Sequence, residues 1–280
     1  MISVIIPTYN RENTIERSLN SVLNQTYEDF EVIIIDVFSS DDTLSILSKF
    51  NDPRIRIIEL NENNGANYAR NIGIKSAKGE FIAFQDSDDF WLPNKLERQL
   101  EIFYEKNCDV VVCDMIGIDE TTNGFYKLLS NDKNSGYITF EDLLYENFVS
   151  TQMVVGKKDV FLNNNFDVSL PRFQDWELFL RISKKESIFF INDKLVIQYL
   201  QSNSLSKNSE RALDGLSVIN KKFNFDINNN KKVKAHHLYL MGVFSALAKR
   251  NHAIYFLKSF AIFPKKESFV RFVASILGLY

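Results

Sequence analysis

Cysteine, histidine, proline and glycine are all scarce in this 280-residue chain, which has two, three, five and ten of them. Cys108 and Cys113 flank an expected strand and supply neither a disulfide framework nor a zinc cluster. His236, His237 and His252 read as polar positions on a C-terminal helix, which argues against a histidine-built catalytic metal site. No run of about 18 or more apolar residues occurs, so no membrane-spanning helix is expected. The chain opens on Met1-Ile2-Ser3-Val4-Ile5-Ile6-Pro7, without a basic leader, and enters a strand at once. That start reads as no signal peptide and an intracellular protein. After the first strand stands Pro7-Thr8-Tyr9-Asn10-Arg11. A G-x-G-x-x-G or G-x-x-x-x-G-K-[ST] loop is missing there, which argues against NAD and P-loop ATP chemistry.

Hydrophobic content of 45% and charged content of 25% are ordinary globular values, and the length suits one domain with an appendage. The net charge of −3 hides an asymmetry. Residues 1–206 carry 20 Lys/Arg against 32 Asp/Glu, whereas residues 207–280 carry 13 against 4. A basic tail of this kind points to an anionic partner, a membrane surface among them. No nucleic-acid partner is expected.

Along the chain, Ile2–Ile6 is a β-branched run stopped by Pro7. Asn13 and Glu16 resemble a capping box, and Ile15, Leu19, Val22 and Leu23 keep helical spacing. Phe30–Ile35 is a nearly all-apolar strand ending at Asp36; Ser39-Ser40-Asp41-Asp42-Thr43 supplies N-cap residues for a helix through about Phe50, then come a strand over Ile55–Leu60 and a helix from Gly65 to Ala77. With the strand Phe81–Phe84, the first ninety residues read β-α-β-α-β-α-β, which predicts a parallel sheet with right-handed crossovers. Trp91-Leu92-Pro93 is expected to open a helix to about Tyr104, followed by a strand over Asp109–Asp114 and a polar loop or hairpin insertion over residues 117–137. Residues 140–145 read as helix, Gln152–Val155 as a short strand and Asn163-Asn164-Asn165 as a turn. Arg172–Ile182 reads as a helix with Asp175 at its N-terminal end. From about residue 209 only helical patterns remain. Phe269, Phe272, Val273 and Ile276 line one face near Lys265, Lys266 and Arg271, as in a helix that rests on anionic lipid or packs on the main domain.

The chemistry concentrates in Phe84-Gln85-Asp86-Ser87-Asp88-Asp89, where an apolar strand runs into three carboxylates. In an extended segment Asp86 and Asp88 share one side while Ser87 and Asp89 face away. Two hard carboxylates so placed suit Mg²⁺ or Mn²⁺ with a diphosphate completing the ligand shell. An acidic turn that merely caps the next helix is the plain alternative. Ligands of open α/β sheets gather beyond the carboxyl ends of the strands, where this stretch falls.

Val4-Ile5-Ile6-Pro7-Thr8-Tyr9-Asn10, Asp36 with Ser39-Ser40-Asp41, Gly65-x-x-x-Ala69-Arg70-Asn71-x-Gly73, Asp86-Ser87-Asp88-Asp89 and Asp175-Trp176-Glu177 occur together and in order. This set resembles the family 2 glycosyltransferases over roughly residues 1–206. The resemblance implies a GT-A fold: a Rossmann-like, mostly parallel sheet flanked by helices, here with a C-terminal helical appendage. It implies a catalytic domain over 1–206, with a nucleotide-binding half (1–90) and an acceptor and catalytic-base half (91–206), then a helical region over 207–280. The implied reaction is inverting transfer of a sugar from a nucleotide diphosphate sugar, a UDP-sugar first among them, to a saccharide or lipid-linked saccharide acceptor. Pro7, Thr8, Tyr9 and Ser87 would line the nucleotide-sugar site, and Asp36 would contact the base or ribose. Arg70 and Asn71 would hold the nucleotide, and Asp86 would touch the ribose or a metal-bound water. Asp88 would ligate Mn²⁺ or Mg²⁺, and Asp175 would be the general base. A cytoplasmic enzyme, peripheral on the inner face of the plasma membrane, is the implied setting.

Two positions depart from the family pattern. Val37 and Phe38 stand where a second Asp and a small residue are frequent, and Gln201 stands where many members carry a metal-approaching His. A sugar-nucleotide-binding or scaffold protein without turnover is the rival reading, and a sugar nucleotidyltransferase a further one.

Overall fold

The computed structural model describes residues 1–119, 122, 124–126, 133–200 and 208–278. The chain forms two compact units by internal packing: Met1–Phe140 with Phe148–Val168 and Leu178–Ser202, and Glu141–Asn147 with Ser169–Glu177 and Asn203–Tyr280.

In the first unit, β1 (Ile2–Thr8), β2 (Phe30–Asp36), β3 (Ile55–Glu59) and β4 (Phe81–Phe84) pair in parallel in the order β3-β2-β1-β4. The helices α1 (Ile15–Leu23), α2 (Thr43–Leu47) and α3 (Gly65–Ser76) connect them, as the alternating pattern predicts. Every residue of β1 is buried, as expected of a parallel strand covered on both faces. The strand does not stop at Pro7. Ile5 presents its carbonyl to Gln85 N–H on the β4 side, and Pro7, two residues on, faces the same side after β4 has ended. Its missing N–H therefore breaks no ladder bond. The capping box is not made: Thr14, not Asn13, is the N-cap of α1, without a side-chain bond, while Ile15, Leu19 and Val22 are buried as spaced. The helix α2 ends at Leu47 rather than Phe50.

Beyond β4 the sheet becomes mixed. Phe90–Trp91 is a short strand, β5, not a helix start, and α4 begins only at Lys95 and runs to Lys106. The strand β6 (Val110–Asp119) extends past Asp114 and pairs antiparallel with β7 (Gly124–Tyr126), so the described part of the polar insertion includes a hairpin. The strand β8 is Gly136–Ile138, α5 is Phe140–Tyr145, and a single 3-10 turn at Thr151–Met153 replaces the start of the expected strand. The strand β9 (Val154–Lys157) inserts antiparallel between β4 and β6. The helix α6 (Lys158–Asn163) ends at the first residue of the expected turn, and α7 covers Gln174–Ile182. The 13-residue strand β10, Ile188–Leu200, escaped the sequence reading; it pairs parallel with β6 and antiparallel with β5 and β8. Gln201 lies outside the described residues.

Close approaches depend on glycine. A Cβ at Gly79 would meet Ser3 N at 2.7 Å and the Met1 carbonyl at 2.8 Å, both backbone atoms of β1 or its start. At Gly73 a Cβ would collide with the Ile5 side chain, so this glycine lets α3 lie against β1.

The second unit contains α8 (Ser209–Lys222), α9 (Asn224–Asn229), α10 (Lys231–Leu247), α11 (Ala253–Ile262) and α12 (Lys266–Ile276). Its aromatic centre is Trp176, which donates from Nε1 to the Leu143 carbonyl at 2.6 Å and packs against Phe173 and His237. His237, on α10, is buried. It is 2% exposed, with Nε2 2.7 Å from the Leu144 carbonyl and Nδ1 2.6 Å from the Asn220 side chain. Glu177, fully buried, pairs with Lys222 at 2.9 Å. Among the described residues no helix is long and apolar enough to cross a membrane.

Replacing Gly79 with alanine is expected to lower the urea midpoint by the equivalent of about 1–3 kcal/mol, because only backbone movement relieves the clash. An unchanged midpoint would show that the contact is slack. A second expectation concerns acid. Burial, then the charges of His237, Lys265 and Lys232, push the His236 pKa from its usual 6.5 down to about 4. The unfolded chain takes up that proton and the folded one does not, so stability is complete above pH ~6.5 and declines as pH falls toward ~4. Thermal melts should show a loss of at most roughly 3 kcal/mol across this window from this residue, and His236→Gln should flatten it.

Candidate active site

The carboxyl ends of β1, β2 and β4 converge, and their loops are tied to one another through side chains. Asp36, 1% exposed, accepts from Ser39 N–H at 2.9 Å and Ser39 Oγ at 2.6 Å. Ser39 Oγ in turn accepts from Asn10 N–H, and Asn10 Oδ1 accepts from Ser40 N–H, both at 2.9 Å. Arg11 N–H donates to Thr43 Oγ1 at 2.7 Å, and Glu12 N–H to Asp41 at 3.1 Å. Burial pushes the Asp41 carboxyl up, but bonds from the Thr43 hydroxyl and the Glu12 and Thr43 amides outweigh it and hold its pKa below the usual value. The departure at Phe38 has a backbone consequence. Its φ is +65°, the left-handed region where a bulky side chain is strained, and its ring is 60% exposed. A small residue would adopt this conformation at less cost.

The acidic stretch is a turn, not an extended segment: Asp89 N–H donates to the Asp86 carbonyl at 3.1 Å. The division of faces nevertheless holds. The side chains of Asp86 and Asp88 are each 26% exposed, whereas Ser87 and Asp89 are buried. The turn is gripped from α1, where Arg17 donates to the Asp88 carbonyl at 2.8 Å and Ser18 to the Asp86 carbonyl at 2.9 Å. Ser21 Oγ accepts from Trp91 N–H at 3.1 Å. Gln85, fully buried, donates to the Asp89 carbonyl at 2.9 Å and to Ser18 Oγ at 3.2 Å. Asp89 is held by Gln152 Nε2 at 3.0 Å and by Tyr199 N–H at 3.1 Å, and the Tyr199 ring lies under the Arg17 guanidinium at 3.6 Å. With three of its carbonyls and the Asp89 side chain thus engaged, the turn presents two carboxylates.

Each of those two faces a cation. Asp86 pairs with the buried Arg70 at 2.8 Å, and Asp88 lies 3.5 Å from Arg11. Burial and the neighbouring Asp86 charge raise the Asp88 pKa against the pull of Arg11 and Arg17. Burial, with Asp88 and Asp86, raises that of Asp89 well above the usual carboxylate range. Burial, more than any shortage of cations, sets these shifts, since Arg11, Arg17 and Arg70 all stand at the turn.

The other sequence candidates fall as follows. Pro7 and Thr8 are buried at the end of β1, and Tyr9 is 43% exposed beside them. Asn71 directs its amide along α3's flank, accepting from Phe166 N–H and donating to the Phe166 carbonyl, each at 2.9 Å. Asp175, in the second unit, opens α7 and accepts from Trp176 N–H at 2.7 Å. Arg172 is buried enough to lower its pKa, and Asp175 opposes that shift. The sequence reading missed Arg11, Arg17, Gln85, Gln152 and Tyr199 as supports. A signal existed for the first two, since cations just after the first strand can reach an acidic turn across the sheet end. None existed for Gln152 and Tyr199, which lie 63 and 110 residues from Asp89.

Comparison with known proteins agrees with this layout. The model of glycosyl transferase family 2 matches residues 3–163. An Escherichia coli protein, UDP-Glc:alpha-D-GlcNAc-diphosphoundecaprenol beta-1,3-glucosyltransferase WfgD, is 34% identical over 221 residues, covering 76% of this chain and 82% of its own. Among solved structures, S. aureus TarS 1–349 in complex with UDP-GlcNAc superposes with a TM-score of 0.67 at 20% identity, covering 99% of this chain and 92% of that one. The mannosyltransferase PcManGT from Pyrobaculum calidifontis, in complex with GDP-Man and Mn²⁺, gives 0.65 at 15% identity, covering 98% and 84%. These two likenesses establish the fold. With a family match over more than half its length and the parallel sheet that carries the acidic turn, this chain belongs to glycosyl transferase family 2.

Proposed function

We propose that this glycosyltransferase moves a sugar from a UDP-sugar to a hydroxyl of a lipid-linked saccharide, with inversion, in the synthesis of a cell-surface polysaccharide. The observation that carries the reading is the paired exposure of Asp86 and Asp88 at the carboxyl ends of β1 and β4, on a turn whose third carboxylate, Asp89, is buried and hydrogen-bonded. WfgD, by its name, uses UDP-Glc and a diphosphoundecaprenol-linked acceptor, which supports the donor and acceptor classes.

The donor set at the turn fits Mg²⁺ or Mn²⁺. Two hard carboxylates, crowded enough that the charge of one raises the pKa of the other, suit a small dication that keeps water and diphosphate oxygens as its remaining ligands. Asp88 would hold it directly and Asp86 through water. When bound, such an ion supplies Lewis-acid neutralisation of the charge that develops on the nucleoside diphosphate. Arg11 and Arg70 have buried Nε atoms without a hydrogen-bond partner, so both retain donor capacity beside the turn. Arg70 orients Asp86, and Arg11 can exchange Asp88 for a phosphate oxygen. The tied β1 and β2 loops form the nucleoside wall, with Thr8, Tyr9 and the Asp36–Ser39 unit on it. Asp175 is the general base that takes the acceptor proton as the hydroxyl attacks opposite the leaving group. Such assistance contributes on the order of 10²–10⁴-fold.

Calorimetry with UDP-sugars, with Mn²⁺ and with chelator, tests the donor site. Asp88→Asn is expected to lose metal-dependent binding, whereas Asp175→Asn should bind donor normally and lose transfer by about 10²-fold or more. Transfer at the wild-type rate by Asp175→Asn would remove it as the base. Arg70→Ala, which leaves Asp86 without its cation, should cost about 2–4 kcal/mol in stability and weaken donor binding together. Loss of neither would show that the pair is a surface contact of little worth.

A further inference from the structure

The last helix presents its apolar side outward. Phe269, Val270, Val273, Ile276 and Leu277 recur at three- and four-residue spacing along α12, and they are 48, 52, 37, 65 and 65% exposed. Its buried position is polar: Ser268, whose hydroxyl lies 3.0 Å from that of Ser259 in α11. The neighbouring helix continues the pattern, with Ile254 and Leu257 exposed beside Lys258. A contiguous apolar stripe is a surface built to be covered, unlike single scattered residues.

Charge selects what covers it. Residues 230–278 contain nine Lys/Arg and one acid, Glu267. Lys265 and Lys266 stand at the N-terminal end of the stripe. A second copy of the same face would bring like charges together around the apolar contact, which disfavours self-association. An anionic bilayer meets both properties at once, because apolar side chains enter the acyl boundary while lysines lie at phosphate level.

Beside the start of α12 opens a cavity of about 190 Å³, lined in part by Tyr145, His236, Tyr239, Lys265 and Glu267. Tyr145 and His236 stack at 4.5 Å, and His236 and Tyr239 at 6.2 Å, so the three rings form a column. Lys265 Nζ donates to Tyr145 Oη at 2.6 Å, and Lys232 Nζ sits 4.7 Å over the Tyr145 ring. Among the described residues neither lysine is paired with a carboxylate. One lining cation, Lys265, and two phenols, with Lys232 over the ring of Tyr145, match a phosphate head group, and the Glu267 carboxylate is available to a head-group hydroxyl.

We propose that α11 and α12 dock this enzyme on an anionic phospholipid surface, with the α12 stripe in the acyl boundary and a head-group phosphate at Lys265 and Lys232. The purpose of such docking, access to a lipid-linked acceptor, rests on the function proposed above; the surface itself does not.

Flotation of the full chain with vesicles of phosphatidylcholine, alone or mixed with phosphatidylglycerol, tests this directly. Binding is expected with the mixed vesicles, weakly or not at all with phosphatidylcholine, and it should fall as salt is raised. Val273→Asp with Ile276→Asp alters only exposed positions and should lower binding to mixed vesicles about tenfold or more. Lys265→Gln should reduce the preference for the anionic vesicles several-fold. UDP affinity, measured alongside, should be unchanged in both variants and reports that they are folded. Absence of binding to anionic vesicles by the wild type, or equal binding by the aspartate variant, overturns the proposal. A concentration-dependent dimer that the aspartate variant dissociates, without vesicle binding, assigns the face to a second copy instead. UDP binding without vesicle binding rejects the docking alone, and vesicle binding without UDP binding rejects the donor reading alone.

Discussion

Three carboxylates within four residues, Asp86, Asp88 and Asp89, repel one another, and the architecture around β4 is arranged to keep them in place. The grip is mostly on the backbone: the carbonyls of Asp86, Asp88 and Asp89 accept from Ser18, Arg17 and Gln85. Asp89 is disposed of inward, where burial favours its protonated form and two neutral donors satisfy it. The remaining two carboxylates are left on the face where β1 and β4 end, each against one arginine. Removing charge from water in this way is costly unless the oxygens find partners, which is why side chains of Arg17, Ser18, Gln85 and Gln152 and the backbone N–H of Tyr199 are spent on four residues.

The same economy explains the loops after β1 and β2. Asn10, Ser39, Ser40, Asp41 and Thr43 take part in bonds that cross from one loop to the other. Two loops so joined form a fixed wall; in the donor site proposed above, a wall that is already rigid would lose less entropy when a ligand arrives. Phe38 sits within this wall in a strained backbone conformation with its ring exposed. Strain of this kind persists only where the surroundings over-determine the backbone, and here the Asp36–Ser39 bonds on either side do so.

The second unit follows other rules. Its interior mixes aromatic rings with buried polar groups, each provided for: Trp176 by Leu143, His237 by Leu144 and Asn220, Glu177 by Lys222. Its exterior carries most of the surplus positive charge and an apolar stripe along α12. A water-facing helix ordinarily places those two properties the other way round, with apolar residues inward. That departure, an apolar stripe left outward beside the charges, is the feature on which the proposed docking rests.

Local pattern determined a good deal of this protein. Alternating β-branched runs and helical spacing specified the first four strands, their parallel pairing and the placement of Asp36 at, and Asp86–Asp89 beyond, a strand end, because periodicity and turn chemistry act over a few residues. Family resemblance specified the fold class from motifs equally local. Tertiary structure alone decided that β9 enters the sheet antiparallel and that Ile188–Leu200 is a strand, since both depend on which distant segments lie alongside. It also decided that the acidic stretch is a turn and that its supports are Arg11, Gln152 and Tyr199. A hydrogen bond across 110 residues leaves no trace in spacing; only the packing that brings β10 to the end of β4 creates it. The polarity of α12 was written in its sequence, but which side faces water was settled by Ser268 and Ser259 meeting inside.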